Sequence, residues 1–417
     1  MLKRLILASL LVSVITFAFA DILIPMDEVQ TNHLKAYGVA FYSLSQTNEV
    51  QWLLNYRGGS FLMPEYDYLI ARCNIAGVSY ERISSSETAE LLKVVQENNM
   101  EAVLLEKEPT IAVYAPPNFQ PWDDAVTLAL TYAEIPFQVV WDDEVLSGQL
   151  SEYDWIHLHH EDFTGQYGKF FGSYRTAEWY KTTVSINEAM ASKHGYDKVW
   201  QLKHAVALKI KEFVVNGGFL FAMCAATDTI DIALSALKVD IVPPEIDGDP
   251  YDPDYKRKLS YENTFAFVNF NLTTNPIEYE FSDIDASDYA KLRGAEADYF
   301  QLFSFSAKYD PVPTMLTQSH VNMINGFLGQ TTSFHKNRVK DSVILLAEVP
   351  GADEVKYLHG NLGKGTFTFY GGHDPEDYQH KIGDPETVLD LHKNSPGYRL
   401  ILNNVLFPAA EKKKLKT

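Results

Sequence analysis

Cysteine is almost missing from this chain. Two in 417 residues, Cys73 and Cys224, cannot supply a disulfide framework, and a chain this long buries enough surface to do without one. Cys73 falls in Tyr68-Leu69-Ile70-Ala71-Arg72-Cys73, a helix by pattern, and Cys224 ends an apolar run far along the sequence. Both therefore read as unpaired thiols. Positive charge is also short. Lys+Arg 35 against Asp+Glu 55 leaves a net charge of −20, which argues against nucleic acid or an anionic lipid surface as the principal partner. The basic tail, Lys412-Lys413-Lys414-Leu415-Lys416, reads as a frayed, solvated end. Arg57-Gly58-Gly59-Ser60 lacks the Lys-Ser/Thr continuation of a phosphate loop and reads as a turn. Internal repeats and low-complexity tracts are absent.

What is present begins with a leader. Met1-Leu2-Lys3-Arg4, the apolar run Leu5 to Phe17 and the small-residue end Ala18-Phe19-Ala20 form a secretory signal pattern. Cleavage after Ala20 is expected to release a protein that starts at Asp21 and is exported, to the periplasm or beyond. The residue at the cleavage point is Asp21 and not cysteine, so no lipid anchor is indicated, and no second long apolar run follows it. With 46% hydrophobic and 13% aromatic residues the rest can bury a large core. The oligomeric state is not legible.

Residues 21–108 read as a small α/β unit, with strands at Ile22-Leu23-Ile24, Val39-Ala40-Phe41-Tyr42 and Trp52 to Tyr56, and helices near 65–76 and 86–99. From Thr110 the pattern alternates. Strands at Ile111–Tyr114, Phe137–Trp141, Trp155–His159 and Phe219–Met223 are separated by helices at 123–133 and 199–215, and a late strand at Gly365–Tyr370 precedes a closing helix at Tyr398–Leu406. Alternation of this kind predicts an α/β fold over 109–417, a parallel sheet flanked by helices, with insertions near 163–200 and 243–335. Within the second insertion, Asn263 to Phe270 alternates like a half-buried strand, and Tyr299 to Phe305 reads as an aromatic strand.

Such sheets bind ligands outside the carboxyl ends of their strands. Three polar clusters should meet there: His159-His160-Glu161 after the third strand, Cys224 after the fourth, and His373-Asp374-Pro375-Glu376 after the late one. Cys224 stands where a strand turns sharply into a helix, with Ala222 and Ala226 two residues to either side, small enough for a tight turn. There the helix N-terminus and a histidine are expected to lower the thiol pKa. Against this stands the simpler reading of a buried structural thiol, with His373 and its neighbours capping a turn.

Strand, cysteine turn and helix, followed by a late histidine and Pro-Glu, resemble the class I glutamine amidotransferase-like superfamily over about 110–417. The whole chain is also similar to exported Bacteroidota proteins labelled asparagine synthetase B. That activity is not expected, because Asp21 rather than cysteine would begin the mature chain and no Ser-Gly-Gly-x-Asp-Ser loop occurs. The superfamily resemblance implies a hydrolase or amidotransferase-like enzyme acting on an amide, ester or small peptide. Cys224 would be its nucleophile, His373 its base and Glu376 or Asp374 the orienting acid. Ala225 N–H and a group from His159, His160 or Glu161 would stabilise the oxyanion. The sequence departs from the family in three places. Alanines replace the elbow glycines, the glutamate stands three rather than two residues after the histidine, and His159-His160-Glu161 replaces a glycine-rich loop.

Other readings remain open. The same rim could bind a small molecule, peptide or carbohydrate without turnover, with Phe170, Phe171, Tyr174, Trp179 and Tyr180 as stacking faces. A metal site could draw on His157, His159 or His160 with His373 and Glu161, although strict strand alternation would turn His160 away from its neighbours. Asp247, Asp249, Asp252 and Asp254 lie in a Pro/Gly loop that could hold calcium, but the spacing matches no EF-hand and a solvated acidic loop is the simpler reading. No other cofactor is expected.

Overall fold

In the computed structural model, residues 21–118 and 123–411 are described; the expected leader and the basic tail lie outside them. The N-terminal unit runs β1 (Asp21–Ile24), α1 (His33–Ser45), β2 (Val50–Leu54), β3 (Ser60–Pro64), α2 (Asp67–Ala76), β4 (Glu81–Ile83), α3 (Ser85–Glu97) and β5 (Glu101–Leu105). Its sheet has the order β4-β1-β3-β2-β5, antiparallel throughout.

The apolar run Val39–Tyr42, expected as a strand, lies inside α1. Asn32 caps this helix by accepting from Lys35 N, and helices pack against it from both units. An element buried nearly all round shows no amphipathic period, so a short apolar run cannot be told from a buried strand.

The second unit continues with β6 (Ile111–Tyr114), α4 (Ala125–Tyr132), β7 (Gln138–Val140), α5 (Asp142–Ser147), β8 (Trp155–Leu158), α6 (Phe171–Tyr174), α7 (Glu178–Lys193), α8 (Val199–Val215), β9 (Phe219–Met223) and α9 (Ala226–Ser235). Short helices α10 (Pro244–Asp247), α11 (Tyr255–Lys258) and α12 (Ser287–Arg293) follow. Then come β10 (Tyr299–Leu302), β11 (Met323–Asn325), β12 (Phe334–His335), β13 (Ile344–Glu348), β14 (Glu354–Leu362), β15 (Gly365–Tyr370) and α13 (Pro396–Leu406).

The large sheet has the order β11-β10-β13-β14-β15-β9-β8-β6-β7, with β12 paired to β14. From β15 to β7 it is parallel; from β15 to β11 it is antiparallel. A wholly parallel sheet was expected, so this is a correction. Its cause is local: Leu362 pairs with Gly365, leaving a two-residue turn at Gly363-Lys364, and so tight a turn can join only antiparallel strands. Gly363 takes a φ of 62° there, which glycine adopts without strain.

Numbered by chain order, the parallel strands run 2-1-3-4-5, and the winding reverses between β6 and β8. The period of two along β9 divides the core between the two faces. Phe219, Phe221 and Met223 pack toward α4 and α13; Leu220, Ala222 and Cys224 pack toward α8 and α9. The two units share the first of these clusters. Buried Arg399 of α13 reaches Tyr37 Oη and the Met26 carbonyl at 3.0 Å each.

The 263–270 segment is not a strand. The Asp231 carboxylate of α9 accepts the N–H groups of Phe265, Ala266 and Phe267 at 2.5, 2.8 and 2.9 Å. Its alternation reflects Phe265 and Phe267 packing on Phe369. Of the strand expected over Tyr299 to Phe305, Tyr299–Leu302 forms β10 and the rest is irregular. Among the described residues no helix is long and apolar enough to cross a membrane.

Candidate functional site

At the reversal between β6 and β8 the chain gathers histidines and carboxylates. Asp124 caps α4, its Oδ1 accepting from Val126 N at 2.7 Å and Thr127 N at 3.0 Å. That cap fixes the carboxylate beneath the end of β8, where His157 Nε2 lies 3.3 Å from Oδ2 and His159 Nδ1 lies 3.6 Å from Oδ1. Asp123 faces outward. His160 Nε2 is 3.9 Å, His373 Nε2 4.0 Å and His380 Nε2 3.2 Å from its carboxylate. The His373 ring meets His159 edge-on at 4.5 Å and stacks on His380 at 4.6 Å. Three further contacts complete the rim: His160 stacks on His373 at 5.9 Å, the Asp377 carboxylate holds His380 Nδ1 at 3.1 Å, and Glu161 Oε2 accepts His159 N–H at 2.7 Å.

Strand alternation was expected to turn His160 away from His159. It does not, because β8 ends at Leu158 and the next two residues bend. A ring nitrogen from each of His159, His160 and His373 lies within 4.8 Å of one from the other two, and Asp123, His373 and His380 form an overlapping group, as do Asp124, His157 and His159.

Burial sets the charges. It pushes His373 down to about 3 and His159 well below the usual imidazole value, so both rings are neutral. Burial also opposes protonation of His160, but Asp123, Glu161 and Asp124 outweigh it and raise that pKa. The hydrogen bond to Asp123 lifts His380 to about 9. Burial works against the charge on Asp124, yet His157 and the Thr127 N–H hold its carboxyl well below the usual carboxylate range.

Cys224 follows β9 directly and has a φ of 47°, a left-handed conformation that costs a non-glycine residue roughly 1–3 kcal/mol. The turn is tied to the rim: Ala226 N–H donates to the His159 carbonyl at 3.1 Å and Thr229 Oγ1 to the Glu161 carbonyl at 2.8 Å. The thiol itself is closed off. It is 1% exposed, and its Sγ accepts Gln330 N–H at 3.3 Å. Burial pushes its pKa up to about 11, against the expected fall, because few charges stabilise a thiolate there.

The covering loop, 326–333, is bonded to the end of β15 through Gly372 N to the Thr331 carbonyl and His373 N to the Leu328 carbonyl. Gln330 Nε2 pins it to the carbonyls of Gly168 and Tyr279 at 2.9 Å each. A Cβ on Gly329 would stand 2.9 Å from the Gly372 and His373 backbone, so only glycine fits.

Among the described residues no hydrogen bond joins Cys224 to His373, and neither expected acid orients the imidazole. Asp374 accepts Glu376 N–H at 2.9 Å and Thr387 Oγ1 at 2.8 Å, closing the turn after His373. Glu376 pairs with His392 Nδ1 at 2.8 Å. The carboxylate facing His373 is Asp123, which sequence reasoning missed along with Asp124 and His380. An Asp-Asp pair before an apolar helix is an N-cap signal that marks Asp124; nothing in the sequence marks His380.

Of the acidic loop, Asp247 and Asp249 gather with Asp240, one carboxylate oxygen of each lying within 4.8 Å of the others, whereas Asp252 and Asp254 do not join them. Lys198 Nζ sits between Asp249 and Asp247, while Asp252 turns to Lys258 and Asp254 to Arg257. In the aromatic insertion Phe170, Tyr174 and Trp179 pack on one another with centroids 5.1 to 5.8 Å apart, and Tyr180 is buried. Trp179 remains 37% exposed.

No family model matches the chain, and no curated protein matches it. Among solved structures it is similar to the cytoplasmic protein STM1381 from Salmonella typhimurium LT2, with a TM-score of 0.37 and 12% identity over 72% of this chain and 100% of that one. The cytoplasmic protein STM3548 from Salmonella typhimurium gives a TM-score of 0.36 at 10% identity, covering 73% of this chain and 100% of that one. The GH42 β-galactosidase Gan42B gives 0.25 at 11% identity, covering 64% of this chain and 28% of that one.

Proposed function

We propose that this chain is an exported hydrolase that cleaves an amide or ester in a small molecule or short peptide, working at the histidine–carboxylate rim of a class I glutamine amidotransferase-like scaffold. The observation that carries the reading is that buried nitrogens of His159, His160 and His373 have no hydrogen-bond partner, beside a carboxylate, Asp123, whose side chain is 38% exposed. Unpaired polar groups are costly to bury and gather where chemistry needs them. The strand order 2-1-3-4-5 and the strained turn at Cys224 support the scaffold, and the Ala18-Phe19-Ala20 pattern supports export.

A water held among the imidazoles attacks the carbonyl carbon. Its O–H bond breaks, Asp123 takes the proton and the new C–O bond forms. As the bond to the leaving group breaks, His380, protonated between Asp123 and Asp377, gives that group a proton. The test is a panel of nitrophenyl esters and aminoacyl or peptidyl nitroanilides. Asp123→Asn should lower kcat by about 10²–10⁴-fold, the usual worth of a positioned base. Turnover unchanged in that variant would contradict the reading, and ligand binding without any turnover would leave the rim a binding site.

A second reading keeps Cys224 as the nucleophile, favoured by its φ of 47° at the end of β9. It requires the 326–333 loop to lift, because Gln330 covers the sulfur.

A further inference from the structure

We infer that His159, His160 and His373 form a binding site for one divalent transition-metal ion of the zinc class, oriented by Asp124 and Asp123. Each of the three rings turns one nitrogen toward a carboxylate 3.6–4.0 Å away, just beyond hydrogen-bond distance, and has another that is buried and unpartnered. His159 Nδ1 faces Asp124 at 3.6 Å; His160 Nε2 and His373 Nε2 face Asp123 at 3.9 and 4.0 Å. His159 Nε2, His160 Nδ1 and His373 Nδ1 are buried and make no hydrogen bond. A ligating imidazole has one nitrogen on the metal and the other held by a carboxylate that fixes tautomer and ring orientation; here a carboxylate faces each ring at a gap that a small rotation would close to a hydrogen bond.

The ligand count and chemistry agree. Three protein ligands with a fourth position open to water is the pattern of catalytic zinc sites, and imidazole selects zinc, copper, iron or nickel over the oxygen-seeking calcium and magnesium. Nitrogens around a tetrahedral ion with bonds of about 2.05 Å stand roughly 3.4 Å apart. Here one from each ring already lies within 4.8 Å of the others, so small side-chain rotations complete the site. An entry path exists, since the His160 side chain is 34% exposed while that of His159 is wholly buried. The carboxylate that faces His159 is itself held by the first N–H groups of α4. Two elements of the sheet and one helix therefore position the ligands before any ion arrives.

This goes beyond the hydrolase reading and does not need it: an ion can bind whether or not a substrate is cleaved. Where both hold, the ion would supply a bound water of lowered pKa to the proton acceptor Asp123.

The test is calorimetric titration of the chelator-treated full chain with Zn²⁺, and with Co²⁺ as an optical probe. One Zn²⁺ per chain should bind, and Co²⁺ should give the intense visible bands of a four-coordinate nitrogen site. Ca²⁺ should not compete. His373→Ala should weaken Zn²⁺ binding more than 100-fold. Asp124→Asn keeps the helix cap and should weaken binding 10–100-fold while shifting the Co²⁺ bands. If His373→Ala does not fold, His160→Ala at the exposed side of the rim serves in its place. Absence of saturable Zn²⁺ binding, or binding unaffected by both histidine substitutions, overturns the inference. Hydrolysis that survives chelation in a chain showing no saturable Zn²⁺ binding overturns the inference and leaves the hydrolase reading standing. Zn²⁺ binding without hydrolysis upholds the inference and removes the hydrolase reading instead.

Discussion

The thiol at the strand-turn-helix should be inert near neutral pH. Burial raises Cys224 to about 11, whereas a free thiol titrates near 8.5. At pH 7.5 the thiolate fraction is then about 0.03%, against about 9% for the free thiol, a difference of roughly 300-fold from ionisation alone. The 326–333 loop adds to this, because a reagent must displace Gln330 to touch a sulfur that is 1% exposed. Cys73, fully buried on α2 and raised to about 12 by burial, is the internal control. The assay is iodoacetamide labelling of the folded protein with peptide mass spectrometry, timed at pH 7.5 and again at pH 9.5. Both cysteines should label at least 100-fold more slowly than in the urea-unfolded chain. Labelling of Cys224 at the free-thiol rate while Cys73 stays protected would refute the reasoning and restore the thiol as the reactive group.

Gly329→Ala should lower stability by about 1–3 kcal/mol through overpacking against Gly372, and should speed Cys224 labelling; a thermal scan and the same alkylation assay check both. Asp231→Ala strips the partner from three N–H groups and should cost about 3–9 kcal/mol, at roughly 1–3 kcal/mol for each donor left unpaired, read by urea denaturation. Burial raises the Asp231 carboxyl to about 6 from 3.8, so the folded chain binds its proton more tightly than the unfolded one. Its contribution to stability is therefore present at low pH and lost as pH rises from about 4 through 6. Asp231→Asn should flatten that window in a pH series of melting temperatures.

The parallel half of the fold was legible because its strands are apolar runs separated by helices of clear period, and β9 ending at Cys224 is the plainest case. The antiparallel half was hidden because β10, β11 and β12 lie in what read as an insertion, β13 and β14 follow it in a stretch not read as strands, and the pairing follows from a turn at Gly363 rather than from any period. The positions of His159, His160 and His373 could be placed by the rule that strand ends share a rim, but their partners could not. Asp123 and Asp124 belong to a helix start whose proximity depends on β6 lying next to β8. Glu376 looked like the orienting acid from its distance in sequence, yet the chain turns at Asp374 and carries it to His392. His160 was placed on the rim but turned away from His159 by an alternation rule applied two residues past the end of its strand.

The central claim, that the rim rather than the thiol is the reactive centre, is tested most directly by comparing Asp123→Asn with Cys224→Ser on one hydrolysed substrate. The account predicts that kcat/KM falls by about 100-fold or more in Asp123→Asn and stays within about threefold of the parent in Cys224→Ser, a small change in a packed core. Loss of turnover in Cys224→Ser with Asp123→Asn unaffected would contradict it.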